Sequence, residues 1–343
     1  MRALLPLIAL GASLTACPAR GRDEDEVVGA QSLPETRKRT PRTDPGFRPL
    51  FAGNVDPGAD DDKFSFSLKL PCTVPARQFT YRSKKHSRVV RLNVVFEEHN
   101  EGYQVRMQDL QLETFDGERL DNDAPELYEV AKTFVSAVST QLPTFVVSKK
   151  GAFVETLDAA ELVAKMREES SPLVSKKVLD ALDDDAELMA YLETLTHSRW
   201  HDWVGRWNGR SIRPGEQQQE QEQLPGTWTE ASIDVDSTVE HLGTLGDSAR
   251  LRFLRSKNVA TDDRVSALAT DQVRELTARM GLEAPPPGVI GPIRWESTLY
   301  AVLDPASVRP HRTRRETVVE AGDHRFRRIE EWEFDWTHAT GCR

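Results

Sequence analysis

The sequence predicts an α+β protein: one large, curved, mostly antiparallel sheet of about twelve strands, with amphipathic helices packed on its apolar face. Three observations predict it. Many segments alternate apolar and polar residues at period two, the mark of a strand with one buried face. They follow one another through short turns such as His99-Asn100-Glu101-Gly102 and Ala321-Gly322-Asp323, and short turns join antiparallel neighbours. Between them a few segments change to the helical period. A one-sided sheet needs a cover, and helices supply it.

The first strand is expected over 63–70, where Phe64, Phe66, Leu68 and Leu70 alternate with Ser65, Ser67 and Lys69. A short strand follows at 78–82 and a longer one at 88–97, with Val90, Leu92, Val94 and Phe96 on one face. Segment 103–114 is the next. Its apolar phase slips between Met107 and Leu110, which predicts a β-bulge at Gln108-Asp109. The clearest helix is 125–142, carrying Leu127, Val130, Phe134, Val138 and Leu142 on one stripe. A hairpin comes next, 144–148 and 152–156 around Lys149-Lys150-Gly151. Asp158 and Glu161 have the spacing of a helix start,. Helices are expected through Leu162 and Met166, through Val174 to Leu182, and over 188–195. Asp183-Asp184-Asp185 between the last two reads as cap and dipole chemistry,.

Residues 197–207, His-Ser-Arg-Trp-His-Asp-Trp-Val-Gly-Arg-Trp, are the most unusual stretch. A helix puts His197 and His201 on one face, with Asp202 beside them. These three are the candidate metal ligands and the candidate centre of a metal-dependent hydrolase. The spacing lacks the general-base glutamate of HExxH, since Ser198 stands there,. Trp200, Trp203 and Trp207 form a helical stripe, which reads as core packing or as a face that stacks a ligand. Residues 210–225 read as a solvated loop, because 217–223 are Gln and Glu only,.

Strands return at 228–235, 237–242 and 250–257, followed by an amphipathic helix over 262–280 and a Pro285-Pro286-Pro287-Gly288 break. Strands 293–303, 313–320 and 324–336 close the chain, with Trp332, Phe334 and Trp336 on one face. The body, 63–343, has two halves of similar layout, 63–209 and 226–343.

The N-terminus carries a different signal. Arg2 precedes an apolar run too short to span a bilayer, then small residues, then Cys17,. Leu14-Thr15-Ala16-Cys17 resembles the lipobox of bacterial lipoproteins. The resemblance implies a signal peptide of residues 1–16, cleavage before Cys17, and a diacylglycerol thioether on its sulfur with a further acyl chain such as palmitate on its amine. Pro18 rather than Asp follows, which implies the outer membrane. Two or three acyl chains anchor stably, at about 0.8 kcal/mol per buried CH₂. Residues 17–62 are rich in charge and proline and read as a flexible tether. The leader's only charged residue is Arg2, so cleavage takes the net charge from −10 to −11. An acidic chain is a poor partner for nucleic acid. Of three cysteines, the anchor uses one, leaving Cys72 and Cys342 to form a disulfide in an oxidising compartment, the periplasm,.

The element order, with the lipobox, is similar to the half-barrel of lipoprotein-localisation carriers and related lipid-binding lipoproteins. That resemblance implies a groove in the curved sheet for a lipid or a hydrophobic segment. The large apolar residues on the helical stripe and the strand faces, Trp200, Trp203, Trp207, Trp332, Phe334 and Trp336, are the candidate ligand-facing aromatics. The alternative is a structural or assembly lipoprotein with a filled core. No GxSxG, P-loop, GxGxxG or HExxH motif occurs, so the expected function is non-catalytic, with no cofactor. The expected partners are the membrane, through the anchor, and a lipid or another envelope protein.

Overall fold

The structure, a computed structural model, describes residues 61–68, 71–83, 86–115, 118–119, 142–170, 185–225, 232–245, 248–260, 265–266, 274, 292–321 and 324–342. The lipobox, the tether up to residue 60 and most of the helices expected over 125–142, 174–182 and 262–280 lie outside them.

The elements are β1 (Asp62–Lys63), β2 (Cys72–Ser83), β3 (His86–His99), β4 (Gly102–Phe115), β5 (Glu118–Arg119), β6 (Phe145–Ser148), β7 (Phe153–Thr156), α1 (Ala159–Ser170) and α2 (Asp185–Trp200). A π-helical turn (His201–Gly205), β8 (Ser211–Ile212), β9 (Gln217–Pro225) and β10 (Ser232–Leu245) follow. The chain ends with β11 (Ser248–Ala260), β12 (Ile293–Asp304), β13 (Arg309–Ala321) and β14 (His324–Phe334). The fold is mostly antiparallel sheet, with few helices among the described residues. The main sheet runs β7-β6-β4-β3-β2-β14-β13-β12-β11-β10-β9, with β5 on β4. Two meanders meet where β14 pairs β2, so both halves of the chain share one sheet.

The sheet is curved. His241 on β10 and Tyr103 on β4 are seven strands apart, roughly 33 Å on a flat sheet at about 4.8 Å per strand. Yet the Phe64 ring lies 6.3 Å from that of His241, and the Phe66 ring 5.9 Å from that of Tyr103. Two residues of one segment cannot reach both unless the sheet curls around them. The path stays open, with β7 and β9 at its ends.

Its concave face holds the main core: Val74 and Ala76, Val90, Leu92 and Val94, Leu299 and Ala301, Trp332 and Phe334, each two residues along its strand. The other face carries cross-strand ion pairs such as Arg77–Glu113, Arg106–Glu97, Lys257–Glu296 and Arg327–Glu316. The expected bulge is present. Arg91 faces Gln111 and Asn93 faces Gln108, so Asp109 and Leu110 oppose Leu92 alone. Asp109 takes a left-handed φ of 54° there, and its carboxylate accepts from Asn93 Nδ2 at 2.8 Å,.

Three expectations need correction. Residues 217–225 form strand β9 rather than a loop, paired with β10 from Pro225 to Gln217. Glu220 and Glu222 are held by Arg206 and Arg210 beneath the strand, and low complexity does not prevent a backbone ladder. The break expected between strands 228–235 and 237–242 is absent: Ser232–Leu245 is one strand, β10, with Asp236 on its outer face between Val235 and Ser237. Segment 63–70 alternates in burial as expected, with Phe64, Phe66 and Leu68 buried, but beyond Lys63 it is a strap bonded to loops. Phe64 N donates to Arg210 O at 3.0 Å, Ser65 N to Pro305 O and Ser67 N to Ser307 O, both at 3.2 Å.

Cys72 and Cys342 are disulfide-bonded, with Cα atoms 4.5 Å apart. Thr73 and Thr340 exchange two backbone hydrogen bonds of 2.9 Å beside the bridge. The last residues are thereby stapled to the start of β2.

Candidate functional site

Helix α2 and its π-helical continuation run onto the concave face. The extra residue in the π turn rotates the chain relative to a regular helix. Asp202, Trp203 and Val204 are buried as a result. The candidate metal set does not assemble. His197 and His201 share a face, with ring centroids 6.4 Å apart, and His197 is exposed beside Phe153 at 5.0 Å. Asp202 turns away from them: its Oδ1 accepts from Arg315 on β13. Burial and the positive charges of Arg206, Arg315 and Arg210 push the His201 pKa down to about 3. Such surroundings oppose a cation. Among the described residues no group of three or more His, Cys, Asp or Glu side chains is placed to hold a metal.

The aromatic stripe is core, the first of the two readings its spacing offers. Trp200 donates to Gly151 O at 2.8 Å and meets Phe66 and Phe145 edge-on, at 5.5 and 5.9 Å. Trp203 stands edge-on to Trp332 at 4.9 Å and to Phe334 at 5.1 Å. Trp207 is fully buried and donates to Asp202 O at 3.2 Å. Trp336, half-buried after β14, donates to Pro310 O at 2.7 Å under the Arg309 guanidinium. Large flat rings fill the space a groove would occupy.

What sequence reasoning missed is a buried charged cluster next to the stripe. Arg199 pairs with Glu330 on β14 at 2.5 Å and lies over the Trp332 ring at 5.3 Å. Gln78 Nε2 on β2 donates to Glu330 Oε1 at 2.6 Å. Arg315 bonds Asp202 and also donates to Ser198 Oγ at 3.2 Å. Arg206 reaches the opposite wall, donating to Ser256 Oγ at 3.0 Å and to Ser237 Oγ. Burial raises the Asp202 pKa to about 6 against the pull of Arg315 and Arg199. For Glu330 burial pushes the same way, but Arg199, Arg328 and the Gln78 hydrogen bond outweigh it and hold the carboxyl down at about 2. One sequence signal was available: Arg328 and Glu330 are in phase with Trp332 and Phe334, so charges sit on the apolar face of a strand.

A second cluster holds the strap. Asp62 accepts from Arg252 Nε at 2.5 Å and Arg252 Nη2 at 3.0 Å, and its Oδ2 lies 2.9 Å from Nε2 of the buried His241. The other imidazole nitrogen, Nδ1, accepts from Gly243 N at 3.0 Å. Both ring nitrogens are thus engaged in holding structure. The chain matches no protein-family model and no curated protein in sequence.

Proposed function

We propose that the protein is a lipid-anchored envelope lipoprotein of the outer membrane, with a non-catalytic body that serves as a structural or assembly component. The lipobox at Leu14-Thr15-Ala16-Cys17 supports the anchor, and the residues between it and β1 serve as the tether. The single observation that carries the second part is the packing of Trp200, Trp203, Trp207, Trp332 and Phe334 into one filled core. A carrier of acyl chains needs that concave volume for its cargo. Here helix and sheet aromatics occupy it, and we extend the same reading to the helices expected on the rest of the apolar face. The outer face, laced with paired charges, suits contact with other envelope proteins more than contact with lipid.

Two measurements test the reading. Cys17→Ser should move the protein from the membrane fraction to the soluble envelope fraction, and intact-mass analysis should show the wild-type chain starting at an acylated Cys17. Native mass spectrometry of the detergent-free Cys17→Ser chain should give a bare mass. A reproducible adduct released as lipid on denaturation would replace this reading with that of a carrier.

A further inference from the structure

The main sheet is open, and its two end strands differ. β7 is 4 residues long, and its register with β6 shifts at Val146/Val147. Shortness and irregularity are ordinary ways of blunting an edge. β9 is 9 residues long and pairs with β10 from Gln217 to Pro225 without a shift. Among the described residues nothing pairs with its outer side.

The phase of the ladder identifies the free backbone groups. His241 N donates to Glu216 O at 3.1 Å, one step beyond the register pair Gln217–Glu240. In an antiparallel ladder the bonded residues recur at every second position. Gln218, Glu220, Glu222 and Leu224 therefore bond β10, and Gln217, Gln219, Gln221 and Gln223 direct N–H and C=O outward. Pro225, which has no N–H, falls in the outward phase, where an edge strand tolerates it,. The side chains of Gln217, Gln219, Gln221 and Gln223 are exposed and uncharged. The carboxylates Glu220 and Glu222 lie between them, paired with Arg206 and Arg210. No lysine or bulge within β9 guards this edge,.

Symmetry selects the occupant. Let a second copy of β9 lie antiparallel to the first about a two-fold axis at Glu220. Gln217 then meets Gln223 of the second copy, and Gln219 meets Gln221, so every outward residue faces its own kind. An amide both donates and accepts, so like pairs with like. The outward backbone groups close about eight hydrogen bonds. Moving the axis to Gln221 would oppose Glu220 and Glu222 twice. With the axis at Glu220 a single carboxylate pair is opposed, next to Arg206 and Arg210, and Gln218 meets Glu222. A foreign strand would match the backbone groups alone, whereas a second copy matches the glutamines as well.

We propose that the outer edge of β9 is a homodimer interface: two copies of this chain join antiparallel along β9, with the two-fold axis at Glu220, and one sheet continues through both. The contact is isologous, so it uses up the edge and stops at two copies. It does not rest on the anchor or on the assembly reading, and a monomer would leave both standing.

Sedimentation equilibrium of the full chain carrying Cys17→Ser, without detergent and at up to about 100 µM, should show a monomer–dimer equilibrium. Gln221→Pro tests the edge. It removes an N–H that the fold leaves unused, as Pro225 does, so the thermal midpoint should hold while dimer affinity falls about tenfold or more. Cysteine cross-linking tests the register independently of that variant. Glu220→Cys should oxidise to a disulfide-linked dimer, because a self-opposed pair outside the hydrogen-bonded positions has Cα atoms about 4.5 Å apart. Gln218→Cys should stay unlinked. A chain that is monomeric at every concentration and forms no Glu220→Cys link overturns the proposal. So does growth beyond the dimer, which would mean β9 joined to β7 of the next copy. A folded Gln221→Pro chain that dimerises like the wild type overturns it, as does linkage through Gln218→Cys in place of Glu220→Cys.

Discussion

The most telling single residues are two buried carboxylates that titrate in opposite directions. Glu330 is held low, at about 2, by Arg199, Arg328 and Gln78 despite its burial. Its contribution to stability is therefore present above the ordinary glutamate range, near 4.5, and is lost as pH falls toward 2. Glu330→Gln should cost about 3–5 kcal/mol at neutral pH, because it leaves the Arg199 charge buried without its partner. Urea denaturation at pH 7 measures that loss. The two proteins should converge as pH falls from about 4 to 2. Asp202 runs the other way. Its pKa rises to about 6, so folding favours its protonated form, and the charged form becomes a burden as pH climbs through 4 to 6. Between pH 4 and 7 the wild type should lose up to about 3 kcal/mol relative to Asp202→Asn. Parallel stability–pH curves for the two proteins would contradict this.

At the scale of elements, the strap of residues 64–68 does work that its sequence pattern assigns to an ordinary strand. It lies between the loop after the π turn and the β12–β13 turn, with Phe64 and Phe66 bonded to Arg210 and Asn208 and Ser65 and Ser67 to Pro305 and Ser307. Its start is fixed by Asp62, through Arg252 and His241. Asp62→Ala should loosen this element alone: amide exchange at residues 64–67 should quicken by about tenfold or more while β12 and β13 amides hold their rates. Gly151 is a further constraint on the strap. It has φ +82°, and a Cβ there would stand 2.7 Å from Phe66 Cβ and 2.8 Å from its ring. Gly151→Ala should therefore destabilise by about 1–3 kcal/mol through both strain and displacement of Phe66. A thermal melt of that variant, compared with wild type, reads it directly. Trp203→Ala, which empties the centre of the stripe, should cost more, about 3–5 kcal/mol.

At the scale of the whole molecule, one sheet joins the two ends of the body. β2 pairs β14, and the Cys72–Cys342 bridge closes a separation of 270 residues at the same place. In the chain-entropy account a loop of that length is worth about 5 kcal/mol. The double variant Cys72→Ala, Cys342→Ala should lower the denaturation midpoint accordingly, with the largest increase in amide exchange along β2 and β14. The curl of the sheet has a further consequence. Residues from β4 and β10, distant along the sheet, meet the same strap, so losing the strap should loosen both flanks together.

Local chemistry determined much of this protein in advance. Period-two alternation on 88–97, 103–114 and 293–303 records a face buried in a sheet, and those strands are present as β3, β4 and β12. A phase slip at Gln108-Asp109 marks the bulge, and Lys149-Lys150-Gly151 the hairpin turn, because both are consequences of a few adjacent residues. The disulfide followed from the cysteine count and the oxidising compartment that the lipobox implies. Tertiary structure alone decided the rest. Gln78 and Glu330 meet across 252 positions, and Asp202 and Arg315 across 113. No local period encodes such a pairing, so a charge on an apolar strand face reads as an exception until its partner arrives. The same holds for Glu220 and Glu222, which make a strand of a Gln/Glu run by meeting Arg206 and Arg210. Whether an aromatic stripe lines a groove or fills a core is likewise set by the opposite wall. Here Trp332 and Phe334 supply that wall, since close packing is a property of both surfaces at once.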